Sequence, residues 1–467
     1  MAVFALFASV NPGQAEPISD SFTADVMSAY YENEPLAISR SISIGQEPRE
    51  PQSAWPNPEE DPDTLEPPKL TLGKPEEFST EEQSFNSQRD DENNREDDGP
   101  PEDPWYDIEG LSFSLKSSSH YTDNYFSSET DQKSYFYHVI TPKVSLKGDN
   151  DVVQFEGVIE TEIGIYQTDS ADNYQDKKIS AKVGTQFSER IGGTVTATTE
   201  WGHDDRGSND DVTDSDTPHL FFKPEIEVEL RFGGEESILG LKMTGTLSQL
   251  RYLNHESTTS DLELNEAGLK LELTWSRGPE RTFLSGIEFK NNDYQSLDKD
   301  SMDLFYYVGM DWNPTDLFSI QAKVGLKEKY FTSDTSNTSD FRGLSWNLGV
   351  DWRPLDYSTY SLSTSMSTSE STGSADLYST RDVELSWAHA WNDSISTKLK
   401  TKYSWKTSEG ATETRQDNEW SQGASINYLI EDWLKMVLEF DRSDLKSNEE
   451  KSSYKKNRVV LSLESEL

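Results

Sequence analysis

Cysteine is absent from this sequence of 467 residues, which excludes disulfide bonds, cysteine metal ligands and cysteine nucleophiles. Long apolar runs are absent too, because no stretch approaches the roughly 18 residues that a membrane-crossing helix requires. In lipid, only helices and closed β-barrels satisfy all of their backbone polar groups. If this chain crosses a membrane, the sequence therefore predicts that it crosses as a barrel.

Apolar and basic residues are both scarce. Only 33% of the residues are hydrophobic and the mean hydropathy is −0.78, whereas about half of an ordinary globular domain is apolar. Such a composition indicates either disordered chain or a sheet with a single apolar face. The formal net charge of −44 argues against nucleic acid as a partner, because phosphate binding requires clustered Lys and Arg side chains.

The first 107 residues differ in composition from the rest. Residues 1–15 combine a short apolar core with a small-x-small end, Gly13-Gln14-Ala15, and we interpret them as the remnant of a signal peptide. Residues 16–107 contain a segment rich in proline and acids, as in Glu59-Glu60-Asp61, with few large apolar residues. Because such a segment cannot bury enough surface to offset its chain entropy, we predict a disordered periplasmic arm.

From residue 108 to residue 467 apolar and polar residues alternate. The apolar residues Ile320, Ala322, Val324 and Leu326 are separated by Gln, Lys and Gly, and residues 395–403 and 267–275 show the same period of two. Side chains of a strand point alternately to its two faces, so each such segment has one apolar and one polar face. Eighteen segments of this kind can be counted.

The connections between these segments alternate in length. Tight turns such as Gly148-Asp149-Asn150 and Ser188-Glu189-Arg190 follow the even segments, whereas longer polar loops such as residues 204–216 follow the odd ones. This alternation is typical of outer-membrane barrels, with short turns in the periplasm and long loops outside. The alternative is a soluble all-β sandwich or solenoid, but sheets rarely exceed about ten strands without closing or splitting. The sequence predicts an all-β, closed antiparallel transmembrane barrel of about 18 strands (16–18).

A hairpin motif recurs within this region. Trp312-Asn313-Pro314-Thr315-Asp316 is followed forty residues later by Trp352-Arg353-Pro354-Leu355-Asp356. Both Trp residues, and Trp391 likewise, fall on the apolar face next to a tight turn. Tyr and Trp gather at membrane interfaces because the ring is apolar while the N–H or O–H group binds water. The motif therefore predicts an aromatic girdle at the periplasmic boundary.

Short motifs at the ends of the first and fifth segments resemble those of the beta-barrel porin type 2 family. They are Tyr121-Thr122-Asp123-Asn124-Tyr125 and Trp201-Gly202-His203-Asp204-Asp205-Arg206-Gly207. The Trp312 hairpin follows them along the chain, and this order of the three motifs is part of the resemblance. The resemblance covers most of residues 108–467 and implies a role in exporting exopolysaccharide or capsule from Gram-negative bacteria. It singles out six residues at strand–loop junctions: Asp123, Asn124, His203, Asp205, Arg206 and Gly207. The chain ends in Leu467, whereas such barrels often end in Phe or Trp, which puts efficient assembly in doubt.

No motif in the sequence indicates an enzyme. The six His residues are scattered without metal-ligand spacing, and neither a nucleophile elbow nor a phosphate-binding Gly-rich loop is present. Acidic pairs are everywhere, so none stands out as a general acid and base. We expect neither catalysis nor a cofactor nor a metal. For residues 203–206 the simplest interpretation is structural: Arg206 pairs with an acid and Gly207 makes a turn.

Alternation places a set of charged and aromatic residues on the polar face, which in a barrel is the lumen. The predicted substrate path consists of Glu156, Glu160, Glu162, Lys223, Glu225, Glu227, Glu229, Arg231, Tyr307, Lys323, Lys327, Lys329, Lys398, Lys400 and Lys402. Charges and aromatic rings suit a hydrated path for sugars. The alternative is that any barrel lumen is polar and that charges of opposite sign pair across neighbouring strands.

Three hypotheses for function follow. The first is a channel that exports a polysaccharide, with the acidic arm docking a periplasmic or inner-membrane export partner. The second is a general or nutrient diffusion porin, which predicts an inward-folded constriction loop with residues 204–216 as the candidate. The third is a non-conducting scaffold or adhesin of the outer membrane. All three place the barrel among outer-membrane lipids.

Overall fold

The computed structural model describes residues 110–149, 152–167, 169–207, 217–234, 237–278, 280–296, 299–332, 340–370, 377–409, 414–449 and 452–466. The segments interpreted above as a signal-peptide remnant (1–15) and an acidic arm (16–107) lie outside these residues. The described part of the chain is almost entirely β-strand.

Eighteen strands follow one another along the chain, as the alternation predicted. They are β1 (Leu111–Thr122), β2 (Tyr135–Asp149), β3 (Val153–Tyr166), β4 (Tyr174–Ser188), β5 (Ile191–His203), β6 (Leu220–Phe232), β7 (Leu239–Tyr252), β8 (Leu264–Ser276), β9 (Arg281–Tyr294), β10 (Ser301–Thr315), β11 (Phe318–Phe331), β12 (Phe341–Leu355), β13 (Ser358–Glu370), β14 (Leu377–Ala390), β15 (Ile395–Glu409), β16 (Gln416–Glu431), β17 (Leu434–Ser447) and β18 (Tyr454–Glu466).

The strands form one closed sheet. Each strand pairs antiparallel with the next in sequence, and β1 also pairs antiparallel with β18, from Ser114 opposite Glu466 to Thr122 opposite Arg458. This last pairing leaves no open edge, so the backbone N–H and C=O groups of every strand find partners on both sides. The predicted class, a closed antiparallel barrel of about 18 strands, is confirmed.

The two ends of the barrel differ in the length of their connections. Short turns follow the even strands, for example residues 189–190 between β4 and β5 and residues 316–317 between β10 and β11. We call this end the turn rim. Longer connections follow the odd strands at the opposite end, the loop rim, for example residues 123–134 and 204–219. The start of β1 and the end of β18 both lie at the turn rim.

The repeated Trp-x-Pro hairpin corresponds to a repeated β-bulge at the turn rim. The register shifts between Trp312 and Thr315 on β10, and in the same way between Trp352 and Leu355 on β12. Each proline of the motif therefore lies inside the bulge. Because proline has no N–H group, a bulge next to a turn tolerates it without losing a hydrogen bond of the ladder.

The outer face is apolar and carries aromatic residues near its boundaries. Trp352 lies 5.3 Å from Tyr360, and Tyr360 lies 6.2 Å from Trp387, as measured between ring centroids on three consecutive strands. Trp391, at the same rim, is 58% exposed. These rings form the girdle that the hairpin motif predicted, and they mark the turn-side boundary of the apolar belt.

Helical structure in the described residues is limited to the loop rim. One short helix, α1 (Glu256–Thr259), runs into a 3-10 turn at Ser260–Leu262, and a second 3-10 turn lies at Ser170–Asp172. No helix in the described residues has the length and apolarity needed to cross a membrane.

The same substitution should affect the stability of the barrel differently on the two faces of one strand. Leu247 lies on the outer face of β7 and is 62% exposed, whereas its neighbour Thr246 faces the lumen opposite Glu227. We expect Leu247→Arg to destabilise the barrel by about 2–4 kcal/mol, because an arginine near the bilayer midplane is costly. Thr246→Arg places the same charge in water beside a carboxylate and should change stability little. Reversible urea unfolding in lipid vesicles measures the free energy of unfolding of both variants. Equal decreases in that free energy would contradict the assignment of the faces.

Candidate functional site in the barrel lumen

The inner face is identified by residues that are paired across strands, because such partners lie on the same face of the sheet. On β6 and β7, Ile226 lies opposite Leu247, and both are at least half exposed. The intervening pairs, Glu225 with Ser248 and Glu227 with Thr246, lie on the other face. An apolar exposed face belongs against lipid, so the polar face lines the lumen.

The structure places all fifteen residues of the predicted substrate path on the inner face. Their strands are distributed around the ring. They are Glu156, Glu160 and Glu162 on β3, Lys223, Glu225, Glu227, Glu229 and Arg231 on β6, Tyr307 on β10, Lys323, Lys327 and Lys329 on β11, and Lys398, Lys400 and Lys402 on β15. They do not form one cluster, and most belong to local ion pairs.

Cross-strand ion pairs engage the acids of β3 and β6. The Lys143 Nζ lies 3.7 Å from a Glu160 carboxylate oxygen, and the Lys147 Nζ lies 3.5 Å from Glu156. On β6, the Glu229 carboxylate lies 2.5 Å from Lys242 of β7 and, along its own strand, 3.4 Å from Arg231. Opposite charges on facing positions stabilise neighbouring strands. Pairing between strands, the alternative interpretation of the charge ladders, therefore accounts for Glu156, Glu160 and Glu229.

A second network joins four consecutive strands, β8 to β11. The Tyr307 hydroxyl donates to Glu272 at 2.6 Å, and the Lys323 Nζ lies 3.2 Å from the same carboxylate. The Tyr307 ring lies over Gly286 of β9, where an added Cβ would approach ring atoms to 2.4 Å. Glycine is thus required at this position so that the tyrosine can reach across β9 to β8.

Two of the predicted path lysines are enclosed in the wall. Lys327 and Lys329 both bind Asp303 on β10, with N–O distances of 3.2 and 2.9 Å, and their side chains are 4% and 2% exposed. A buried lysine requires such an acid, because an unpaired charge is costly away from water. Both lysines therefore hold β11 to β10 and present no ammonium group to a solute.

The lysines of β15 are arranged differently. Lys402 lies 3.6 Å from Asp382, but Lys398 and Lys400 have no carboxylate oxygen of the described residues within 4.0 Å. Both are exposed on the lumen side. Lys400 nevertheless lies beside an acid, because an added Cβ at Gly423 would lie 2.7 Å from Lys400 Cε and 3.0 Å from Asp441 Oδ1.

Asp123 and Asn124, the first two junction residues, anchor the loop after β1. Asp123 accepts the backbone N–H of Asn457 at 2.7 Å. Asn124 is fully buried and donates to the backbone carbonyls of Ser128 and Lys455, at 2.8 and 2.9 Å. The pair therefore joins the first loop to β18, where the barrel closes.

The remaining junction residues hold the start of the loop after β5. Arg206 forms a buried ion pair with Asp172, with an N–O distance of 3.0 Å. Gly207 has a φ of 74° and lies against Phe126, whose carbonyl oxygen would be 2.3 Å from an added Cβ. His203 is 2% exposed and its ring lies 5.3 Å from that of Tyr174. Asp205 is exposed.

The structural interpretation of residues 203–207 therefore fits the geometry: Arg206 pairs with an acid and Gly207 makes the turn. The acid lies in the loop between β3 and β4. Of the proposed constriction loop, residues 204–207 and 217–219 are described, and residues 208–216 lie outside the described residues. Among the described residues, no group of three or more His, Asp or Glu side chains could hold a metal ion.

A tyrosine cluster at the loop rim was missed from the sequence. Tyr125 stacks on Tyr135 at 4.2 Å, and Tyr137 stacks on Tyr166 at 4.5 Å, as measured between centroids. Tyr174 lies beside Tyr166, and burial raises the pKa of the loop residue Tyr125 far above its usual range. The sequence contains a pattern that could have predicted this cluster, because a tyrosine begins or ends β2, β3 and β4 at the same rim. The cluster packs the first loop onto the inner wall.

Comparison with known proteins identifies the family of the barrel. The family model described as Putative beta-barrel porin 2 matches residues 111–467. No curated protein matches the chain. Solved structures with a similar fold include OccK1 (OpdK) of Pseudomonas aeruginosa, with 12% identity over 77% of this chain and 100% of that chain and a TM-score of 0.47.

A second similar structure is OccAB3 of Acinetobacter baumannii, with 10% identity over 77% of this chain and 100% of that chain and a TM-score of 0.46. At these identities the similarity concerns the fold alone. The family match supports a porin-type barrel. Export of a polysaccharide and an export partner for the acidic arm are supported by neither comparison and stay predictions, as does the scaffold hypothesis.

The buried ion pair predicts a specific weakness of the loop rim. Arg206→Ala removes the guanidinium that pairs with the buried Asp172 carboxylate, so we expect the free energy of unfolding to fall by about 3–5 kcal/mol. The loop after β5 should also become cleavable by protease. Arg353→Ala is the control, because it removes an exposed pair with Asp351 and should change stability little. Urea unfolding and limited proteolysis measure both variants, and similar effects would contradict a structural role for Arg206.

Proposed function

This chain belongs to the Putative beta-barrel porin 2 family, and on that premise we propose that it is a diffusion channel for small hydrophilic solutes. The chain forms an outer-membrane barrel of porin type, and a channel is the function that such a barrel supports best. Among the hypotheses raised by the sequence, this is the diffusion porin.

The observation that carries the proposal is the composition of the inner wall. Charged groups line it on most strands and are paired between neighbouring strands, as in Lys270 with Glu288 at 2.9 Å and Lys323 with Glu272 at 3.2 Å. A wall whose charges are satisfied locally remains wettable without binding any ion tightly. Solutes can then pass without paying a large desolvation cost.

The number of strands supports the same conclusion. With neighbouring strands about 4.8 Å apart and tilted by about 40°, eighteen strands enclose a ring roughly 35 Å across between backbones. Barrels of 16–18 strands leave an aqueous channel after their side chains are accommodated. The loop between β1 and β2 packs on the wall through its tyrosine contacts, which narrows the loop rim on that side.

Reconstitution of the full chain into planar bilayers tests the proposal. We expect stepwise insertions with an ohmic current in KCl, and liposomes containing the protein should swell in isotonic arabinose. A non-conducting scaffold gives neither result. Heat-denatured protein in the same detergent is the control for leakage. Folded protein, verified by resistance to unfolding on unheated gels, that inserts without conducting would overturn the proposal.

A further inference from the structure

The ladder between β12 and β13 ends before either strand does. It runs from the turn rim to Trp346 opposite Met366, although β12 begins at Phe341 and β13 continues to Glu370. On their other sides, β12 stays paired with β11 and β13 stays paired with β14 up to the loop rim. The Ser345 hydroxyl donates to the Met366 carbonyl at 2.7 Å and bridges the two strands where their ladder stops. Beyond this point the wall contains a cleft.

Two cavities adjoin this cleft on the outer side of the barrel. The first, of about 540 Å³, is lined among others by Leu344, which is 58% exposed on the outer face of β12. Asp340 also lines it, and its carboxylate accepts the backbone N–H of Phe331 at 3.2 Å. The second cavity, of about 420 Å³, lies farther along the sheet. Trp346 and Arg381 line both cavities, so the two meet at these side chains.

Arg381 is a charged residue on the apolar outer face. It lies opposite Met366 of β13 and Trp405 of β15, and it is exposed. The other outward positions around it are also uncharged: Ser379, Val383, Thr364, Thr368, Tyr403 and Thr407. No carboxylate oxygen of the described residues lies within 4.0 Å of its guanidinium. Because an unpaired charge is costly in lipid, this arginine calls for a partner from outside the chain.

The position of Arg381 along β14 sets its depth in the membrane. Six residues separate it from Trp387 of the turn-side girdle, which corresponds to about 16 Å along the barrel axis at about 3.4 Å per residue and a tilt of about 40°. The apolar belt of such barrels is about 25 Å tall, so Arg381 lies in the half nearer the loop rim. A long arginine side chain can extend toward that boundary, which brings the guanidinium to the lipid headgroups.

Neutral donors and apolar surface accompany this charge. The indole N–H of Trp405 and the side-chain amide of Asn418, on the next strand, have no hydrogen-bond partner among the described residues, and both residues line the second cavity. Toward the turn rim, the outer face of β14 continues with Val383 and Leu385, which are 39% and 51% exposed. An arginine beside neutral N–H donors suits a phosphate group, and the apolar row below it suits an acyl chain.

We propose that this cleft binds a lipid of the surrounding membrane by its phosphate group, which Arg381 holds while an acyl chain lies along Val383 and Leu385. Hydrocarbon offers no hydrogen bonds to the backbone of the strand edges that face each other across the cleft, whereas a headgroup and its water do. Charge-assisted hydrogen bonds from arginine to phosphate are stronger than neutral ones. The site lies on the outside of the barrel, so the inference does not depend on the proposed channel.

Native mass spectrometry of the full chain in detergent tests the site. We expect the protein to bind palmitoyl-oleoyl phosphatidic acid more tightly than the diacylglycerol with the same chains, which lacks the phosphate. Arg381→Gln should raise the Kd for the phosphatidic acid by about threefold to tenfold, because the charged contact is lost. Leu344→Trp keeps the charge but fills the cleft, and it should weaken binding as well. Resistance to unfolding on unheated gels verifies that both variants are folded.

Arg442→Gln is the matched control. It removes the same charge from the outer face of β17, where the guanidinium donates to Asn457 at 3.2 Å and the ladders on both sides continue past it. If this control weakens binding as much as Arg381→Gln does, surface charge in general holds the lipid and the site is overturned. Equal affinity for the diacylglycerol also overturns it. Displacement of the lipid by glycerol 3-phosphate at equal concentration would identify a soluble phosphate as the ligand and overturn the lipid as the occupant.

Discussion

The pairing of β1 with β18 is the constraint on which the rest of this structure depends. Lipid offers no hydrogen bonds to backbone groups, so a sheet that crosses it must have no free edge. The seam runs along most of both strands, and Lys116 and Glu464, which face each other in its register, form an ion pair at 3.2 Å. Asn124 adds a buried hydrogen bond to the backbone at Lys455, which fastens the loop end of the seam.

Closure of the barrel gives the two faces of every strand different environments, lipid on the outside and the lumen on the inside. Once the apolar face points to lipid, all charges of the strands inside the membrane lie in the lumen, and each needs water or a partner. Many of these charges are paired between neighbouring strands, as Glu160 is with Lys143. Others are buried together, as Asp303 is with Lys327 and Lys329. Other inward charges, such as Lys398, are exposed and are left to the water of the lumen.

The loop rim is organised by packing rather than by alternation. Arg206 and Asp172 come from different loops and form a pair that water scarcely reaches. Gly207 allows the chain to approach Phe126, and stacked tyrosines join the first loop to β2 and β3. Three consecutive long connections are thereby joined on one side of the mouth. On the other side of the lumen, the inward positions of β13 from Ser361 to Ser369 are all serines. The lumen is therefore asymmetric, with aromatic packing on one side and a row of small hydroxyl side chains on the other.

The sequence by itself determined the barrel, a count of about 18 strands, the inner face of the path residues, and the long and short rims. These follow from a period of two and from turn length, which are local properties that one chain displays in order. The β-bulges at Pro314 and Pro354 were added by the structure, because a repeated Trp-x-Pro motif does not by itself show a shift of register. Only the tertiary structure decided which inward charges are available. Whether Lys329 is enclosed by Asp303 while Lys400 faces the channel depends on the register between neighbouring strands, which alternation within a single strand does not contain.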